Sequence, residues 1–399
     1  MAKRKLVFAL LSFIGAASLL RLVPSETLVN STTENKNNTN TYDTQSNWFG
    51  NRIFNRDEHD RPTPLSVLTR SEHAFNTHCP PDMQPVEDSI LPTNITHFDR
   101  LIPRVLHFTF KSRCVPMNTL LHLRKWYFPN HSFYFHDDDA VDALMSEPWI
   151  DRVFRTGRVH PNETSNCSWE HGYPPNVPPR QVMNKCVTSG ATKADLWRYA
   201  LLYRYGGIYS DIDNSPTGFN GETIKKHDDF FGTIEKLGIL GQYFLASSPR
   251  HPYLRHIMND ALDHLRMSEN VMDNLPEKWT GPGAVKRGFC FFMEAANVTN
   301  DGYISSGVYV GDENRSVTVM GSKNREEEYI VRNGLGNQKE ELYKALNVSH
   351  FSDVRKQNRN KKDVVSCEEH LNRTQENPNK KANYIIVEGR YVDADATFN

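Results

Sequence analysis

Periodic hydrophobic pattern begins well inside the chain. At Ile102 the stretch IPRVLHFTF is a short apolar run behind a proline and predicts a first strand. LLHLRKWYF then shows helical spacing, and SFYFHDDD reads as a second strand ending in acids. Three successive acids cannot all face one point on a strand, so His136 to Asp139 predicts an N-cap for the helix at AVDAL rather than a metal cluster. The Pro-, Asn- and Cys-rich stretch 160–190 reads as a long, lid-like loop. ATKADLWRYALLYRY predicts a helix closed by Gly206-Gly207, with Thr192 and Asp195 at capping-box spacing. GIYSDID follows as a strand and turns at NSPTG. Strands alternating with helices predict an α/β sandwich.

The first residues carry a different pattern. MAKRK precedes about 15 apolar residues, Leu6 to Leu20, which predict a signal anchor with a cleaved signal peptide as the alternative. Basic residues on the near side put the remainder of the chain in the lumen. The organisation expected is therefore a cytosolic tail and anchor over 1–23, a largely disordered lumenal stem over 24–98, a catalytic domain over 99–350 and a charged, mobile tail over 351–399.

Composition narrows the class. The 399 residues carry a formal net charge of −1 and 38% hydrophobic residues, which suits a globular body and excludes the strong basic excess of a nucleic-acid binder. Ten sequons stand at Asn30, Asn37, Asn94, Asn130, Asn162, Asn166, Asn297, Asn314, Asn347 and Asn372, where chance gives about four, and they point to glycosylation. Six cysteines follow the apolar segment, allowing three disulfides in fifteen connectivities.

Candidate chemistry concentrates in DLWRYALLYRYGGIYSDID, residues 195–213. If GIYSDID were strand throughout, Tyr209, Asp211 and Asp213 would share a face, with the two carboxylates roughly 6 to 7 Å apart. Acids so placed can converge on one hard cation, and strand ends are where α/β sheets bind ligands. Asp195 and Arg198 lie one helical turn apart. Trp197, Tyr199, Tyr203 and Tyr205 read as core, as does His107.

KADLWRYALLYRYGGIYSDIDNSP resembles the signature of the DXD-containing sugar transferases of glycosyltransferase family 32, which include Golgi initiating α-1,6-mannosyltransferases and inositol phosphoceramide mannosyltransferases. More distantly it is similar to the core of the large glucosylating bacterial toxins. IPRVLHFTF, LRKWYFPNHSFYFHDDDA, YFLASSPRHPYLRHIM and WTGPGAVKRG are weaker echoes across residues 100–350. The resemblance implies a GT-A-like (Rossmann-like) nucleotide-sugar-binding sandwich and a retaining transferase of the Golgi membrane, single-pass type II. It implies Mn²⁺ or Mg²⁺ on Asp211 and Asp213, with Asp195, Arg198 and Tyr209 on the donor and Phe110 against its base. His350 stands where relatives often place a histidine near the metal, though the tryptophan expected after SHFSDV is missing. Of the donors the resemblance implies, GDP-mannose comes first, with UDP-galactose, UDP-glucose and UDP-N-acetylglucosamine open, and the acceptor expected is a glycan or glycolipid. Gly281-Pro282-Gly283 would border the acceptor site. Two other readings remain: a noncatalytic glycan-binding protein on a transferase fold, and a haloacid-dehalogenase-like phosphatase. The phosphatase would need a later acidic pair, which VGDENRS supplies poorly.

Overall fold

The computed structural model describes residues 62–71, 78–91, 100–157, 167, 176–235, 238–271, 275–321, 331–336, 338–347, 365–375, 384–387 and 390–393. The anchor, His350 and the sequons at Asn30, Asn37, Asn94, Asn162 and Asn166 lie outside them.

In chain order the elements are β1 (Met83–Pro85), β2 (Val105–Thr109), β3 (Cys114–Pro116), α1 (Met117–Leu123), β4 (Ser132–His136), α2 (Asp138–Met145), α3 (Pro179–Cys186), α4 (Gly190–Tyr205), β5 (Gly207–Ser210) and β6 (Asn214–Ser215). They continue with β7 (Phe230–Ile234), β8 (Leu240–Ser247), α5 (Pro252–Arg266), α6 (Pro282–Glu294), β9 (Gly307–Val310), β10 (Ser316–Met320), β11 (Arg332–Asn333), α7 (Gln338–Ala345), α8 (Cys367–Gln375) and the hairpin 384–387/390–393.

Seven strands form the central sheet in the order β4-β2-β5-β8-β7-β10-β9. β4, β2 and β5 are mutually parallel, β8 runs against both β5 and β7, and β10 is parallel to β7. Five strands therefore point their carboxyl ends to one edge, and only β8 and β9 oppose them. The sheet has a core on each face, so the α/β sandwich that the sequence pattern predicts is present. Period-two alternation feeds both layers. Ile208, Phe231, Phe244 and Ala246 enter one core with Phe108, Phe133 and Trp126. Tyr209, Phe230 and Leu245 enter the other with Trp197, Tyr199, Tyr253 and Phe289. His107 is fully buried in the sheet and shares a 3.2 Å hydrogen bond with His136.

Several elements differ from the sequence reading. Asp137 does cap α2, its carboxylate accepting from the Ala140 N–H at 3.0 Å. The cap of α4, however, is Ser189, whose hydroxyl accepts from the Thr192 N–H at 3.2 Å, so Asp195 lies inside the helix and is free for another task. Within 160–190, residues 179–186 are helical rather than loop. Part of the expected stem packs onto the domain, because Asp88 pairs with the buried Arg113 at 3.0 Å and Cys79 is bonded to Cys114. Within the expected tail, the described stretch 365–375 is held to the domain: Cys367 is bonded to Cys186, and Cys367 and Leu371 are buried. Charge composition predicted mobility there, and a covalent link overrides it. The third disulfide joins Cys167 to Cys290.

The turn from α4 into β5 needs glycine. Gly206 has φ 67°, and a Cβ there would lie 2.7 Å from the Pro249 ring and 2.8 Å from the Ser247 carbonyl oxygen. Gly206→Ala should lower stability by about 2 kcal/mol, from left-handed strain plus backbone overlap. Urea unfolding checks this, and an unchanged midpoint would contradict it.

Candidate active site

The site grows from the last residues of β5 and the face of α4 that packs over them. β5 ends at Ser210, one residue before Asp211. Ile212 and Asp213 form a turn in which the Asn214 N–H donates to the Asp211 carbonyl at 3.1 Å. The period-two reading of GIYSDID therefore fails beyond Ser210: a turn, not a strand face, brings the two carboxylates to the sheet edge.

Arg198 is the hub. It is only 5% exposed. Its Nη2 lies 3.1 Å from Asp195 Oδ1, and its Nη1 donates at 3.1 Å to both Asp211 Oδ1 and the Gln242 carbonyl. The guanidinium carbon sits 4.5 Å over the Tyr209 ring, and the Tyr209 hydroxyl donates to Asp211 Oδ1 at 2.6 Å. Asp195 Oδ2 accepts from the Thr280 hydroxyl at 2.8 Å, and the Gln242 side chain also bonds this carboxylate. Burial pushes Asp195 up to about 6, although Arg198 pulls it down. Burial raises Asp211 as well, with Arg198 opposing and the Asp213 charge adding.

Asp213 faces a different cation. Lys339 on α7 places its ammonium 2.6 Å from Asp213 Oδ2, and burial of the lysine is outweighed by that carboxylate, so its pKa is raised. The Asp213 carbonyl accepts from the Gly334 N–H at 2.8 Å. Next to it, the Asn214 carbonyl accepts from His122 Nε2 at 2.7 Å and Trp126 Nε1 at 2.9 Å. These four contacts hold the turn that carries both carboxylates. Phe110, at the end of β2, is half-buried and meets Tyr343 of α7 edge-on, ring centroids 5.8 Å apart.

The structure thus brings together Asp195, Arg198, Tyr209, Asp211 and Asp213, with Phe110 one strand away. Residues the sequence did not single out complete the site: Gln242, Thr280, Lys339, Tyr343, His122 and Trp126. Thr280 was signalled only by the Thr-Gly-Pro run, and its neighbours Pro282 and Gly283 open α6 instead of forming a free loop. The acidic pair Asp312-Glu313 faces Arg255 and His256 instead of Asp211, which removes the support a phosphatase reading needed.

Among the described residues, no group of three or more His, Cys, Asp or Glu side chains gathers as a metal site. The two carboxylates still fit a hard divalent ion that takes its other ligands from phosphate oxygens and water. The Lys339 ammonium on Asp213 marks a position where a cation is favoured.

Residues 170–230 match the family described as glycosyltransferase sugar-binding region containing DXD motif, which spans Asp195, Arg198, Asp211 and Asp213. The chain is 26% identical over 160 residues to inositol phosphoceramide mannosyltransferase 1 of Schizosaccharomyces pombe, covering 38% of this chain and 40% of that protein. It is 23% identical over 171 residues to mannosyl phosphorylinositol ceramide synthase CSH1 of Saccharomyces cerevisiae, covering 42% of this chain and 37% of that one. The match therefore spans about two-fifths of the length of these relatives. A solved structure, the PaToxG glycosyltransferase, overlaps loosely with 78% of this chain and 92% of its own, at 13% identity and a TM-score of 0.32. The resemblance to DXD sugar transferases is borne out.

Arg198→Ala should cost about 3 kcal/mol, because it strands the buried Asp195 carboxylate without its cation. The sign of its pH dependence follows from the raised pKa of Asp195. The fold prefers the protonated form, so this group's contribution is favourable at low pH and is lost as pH rises from about 4 through 6. The variant's deficit in urea unfolding should be larger at pH 8 than at pH 5. Equal deficits would show that Asp195 does not depend on Arg198.

Proposed function

We propose that this chain is a lumenal, metal-dependent, retaining hexosyltransferase that moves mannose from GDP-mannose to a hydroxyl of a glycan or glycolipid. The observation carrying the reading is the placement of Asp211 and Asp213 at the carboxyl end of β5, beside the buried Asp195–Arg198 pair. The mannosyl donor draws support from the names of the two yeast relatives, and so does a phosphoinositol-bearing lipid as one acceptor.

Asp211 and Asp213 would hold Mn²⁺ or Mg²⁺ against the donor's diphosphate. When bound, the ion supplies Lewis-acid neutralisation of the departing nucleoside diphosphate. Arg198 orients Asp211 and Asp195, so the hydrogen-bonding face offered to the donor sugar is set before binding, as preorganisation requires. Tyr209 donates to the same Asp211 oxygen and so fixes that carboxylate from below. Phe110 and Tyr343 offer rings to the donor base. Lys339 keeps Asp213 paired before the donor arrives and can turn its charge to the diphosphate afterwards. In the transfer, the bond between the anomeric carbon and the diphosphate oxygen breaks with its electron pair going to that oxygen, the acceptor oxygen bonds the same carbon on the same face, and the acceptor's proton passes to the diphosphate.

A lumenal setting is supported by three disulfides and by exposure of all five described sequons, Asn130, Asn297, Asn314, Asn347 and Asn372. The N-terminal apolar run would anchor the chain in the Golgi membrane.

The deciding assay follows sugar release from GDP-mannose, UDP-galactose, UDP-glucose and UDP-N-acetylglucosamine, each with Mn²⁺ and with chelator. GDP-mannose turnover that needs the metal and falls about 100-fold or more in Asp213→Asn is the expected result. Turnover of none of the four would remove the proposal. Lys339→Ala should tighten Mn²⁺ in the absence of donor while weakening donor binding about tenfold, both measured by calorimetry. If both affinities stay unchanged, Lys339 has neither role.

A further inference from the structure

Glu235 is a carboxyl group of this same edge that the donor network does not use. It follows directly on the carboxyl end of β7, and β7 is parallel to β5 with only β8 between them. At ordinary strand spacing that puts it roughly 10 Å from Asp211 along the edge, a span that one pyranose ring and its hydroxyls fill. The order along the edge is then Phe110 after β2, Asp211 after β5, Gln242 at the amino end of β8, and Glu235 after β7. A donor laid with its base at Phe110 and its diphosphate at Asp211 and Asp213 points its sugar toward Gln242 and Glu235.

Three local features aim the carboxyl into that space. The β7–β8 register shifts between Gly232 and Ile234, and irregularities of this kind re-aim the side chains that follow. Gly241 leaves room for it: a Cβ there would stand 3.1 Å from Glu235 Cγ and 2.8 Å from the Tyr243 ring. The backbone N–H of Gln242 donates to the Glu235 carboxylate, while the carbonyl of the same residue accepts from Arg198. Glu235 is half-buried, and among the described residues no lysine, arginine or histidine forms an ion pair with it. Burial, with Asp211 adding, pushes it up to about 6. A desolvated carboxyl with one N–H donor and no cation is left with acceptor capacity for a ligand.

We propose that Glu235 binds the acceptor, taking a hydrogen bond from a hydroxyl of the sugar or polyol ring that receives the hexose. The inference rests on the transferase reading, and Gln242 is the residue through which the acceptor-side carboxyl and the donor-side guanidinium share one backbone unit.

The test uses the full chain with Mn²⁺ and GDP-mannose, and offers methyl α-mannoside and inositol phosphoceramide in mixed micelles as acceptors. Donor affinity is read separately by calorimetry with GDP. Glu235→Gln should raise the KM for the acceptor that the wild type uses about tenfold or more, with GDP affinity within twofold and Glu235→Asp intermediate. Gly241→Ala, which crowds the carboxyl without removing it, should move the same constant in the same direction and guards against a misfolded Glu235 variant. An unchanged acceptor KM in a folded Glu235→Gln protein would overturn the assignment while leaving the transferase intact. An equal rise in acceptor KM and GDP dissociation constant would place Glu235 in the donor network and overturn it too. If the wild type itself transfers to neither acceptor and releases sugar from no donor, the transferase reading fails first.

Discussion

A single buried guanidinium holds this site in one arrangement. Arg198 is enclosed by carboxylates from α4 and from the end of β5, by a carbonyl from β8 and by the Tyr209 ring. Burying a charge is costly unless every donor finds a partner, so any shift of one of these elements leaves an unpaired ion in a dry setting. The helix, two strands and the Thr280 segment are thereby locked to one another by electrostatics as much as by packing. Stability and the shape of the pocket have the same origin here.

The direction of β8 matters for the same reason. A parallel strand in its place would present its carboxyl end alone to the edge. Running the other way, β8 delivers the start of the strand, and Gln242 can bond Arg198 with its carbonyl, Tyr199 with its side-chain oxygen at 3.2 Å, and Glu235 with its N–H. Tyr199 in turn donates to the Thr280 carbonyl at 2.8 Å, although its ring belongs to the core. The residue read from the sequence as filler thus reaches the site with its polar end.

Much of this was legible beforehand because it is local. The helix from Ala191 to Tyr205, its glycine closure and the aspartates that follow are consecutive, and their spacing alone aligns Asp195 with Arg198. What escaped notice is non-local. Lys339 reaches Asp213 across 126 positions, and His122 and Trp126 reach Asn214 from about ninety positions upstream. No periodicity marks a lysine on a charged helix as different from its neighbours. The capping of α4 was misread for a subtler reason: Ser189 and Thr192 both suit the role, and only backbone geometry separates them. At Cys367 the charged C-terminal stretch departs from the expected mobility because composition reports hydrophobic content and is blind to which cysteine finds which.

That last link has a consequence for how the molecule is made. Cys186 lies three residues before Ser189, where the helix bearing Asp195 and Arg198 begins, and its partner Cys367 stands 181 positions downstream. The start of this helix therefore cannot be covalently anchored until Cys367, 181 residues later, has emerged from the ribosome. Up to that point the segment can fold only as far as noncovalent contacts hold it, with an unpaired thiol at its base. Completion of the site becomes a late, oxidative event, set by the order of synthesis and the supply of oxidant rather than by helix formation itself.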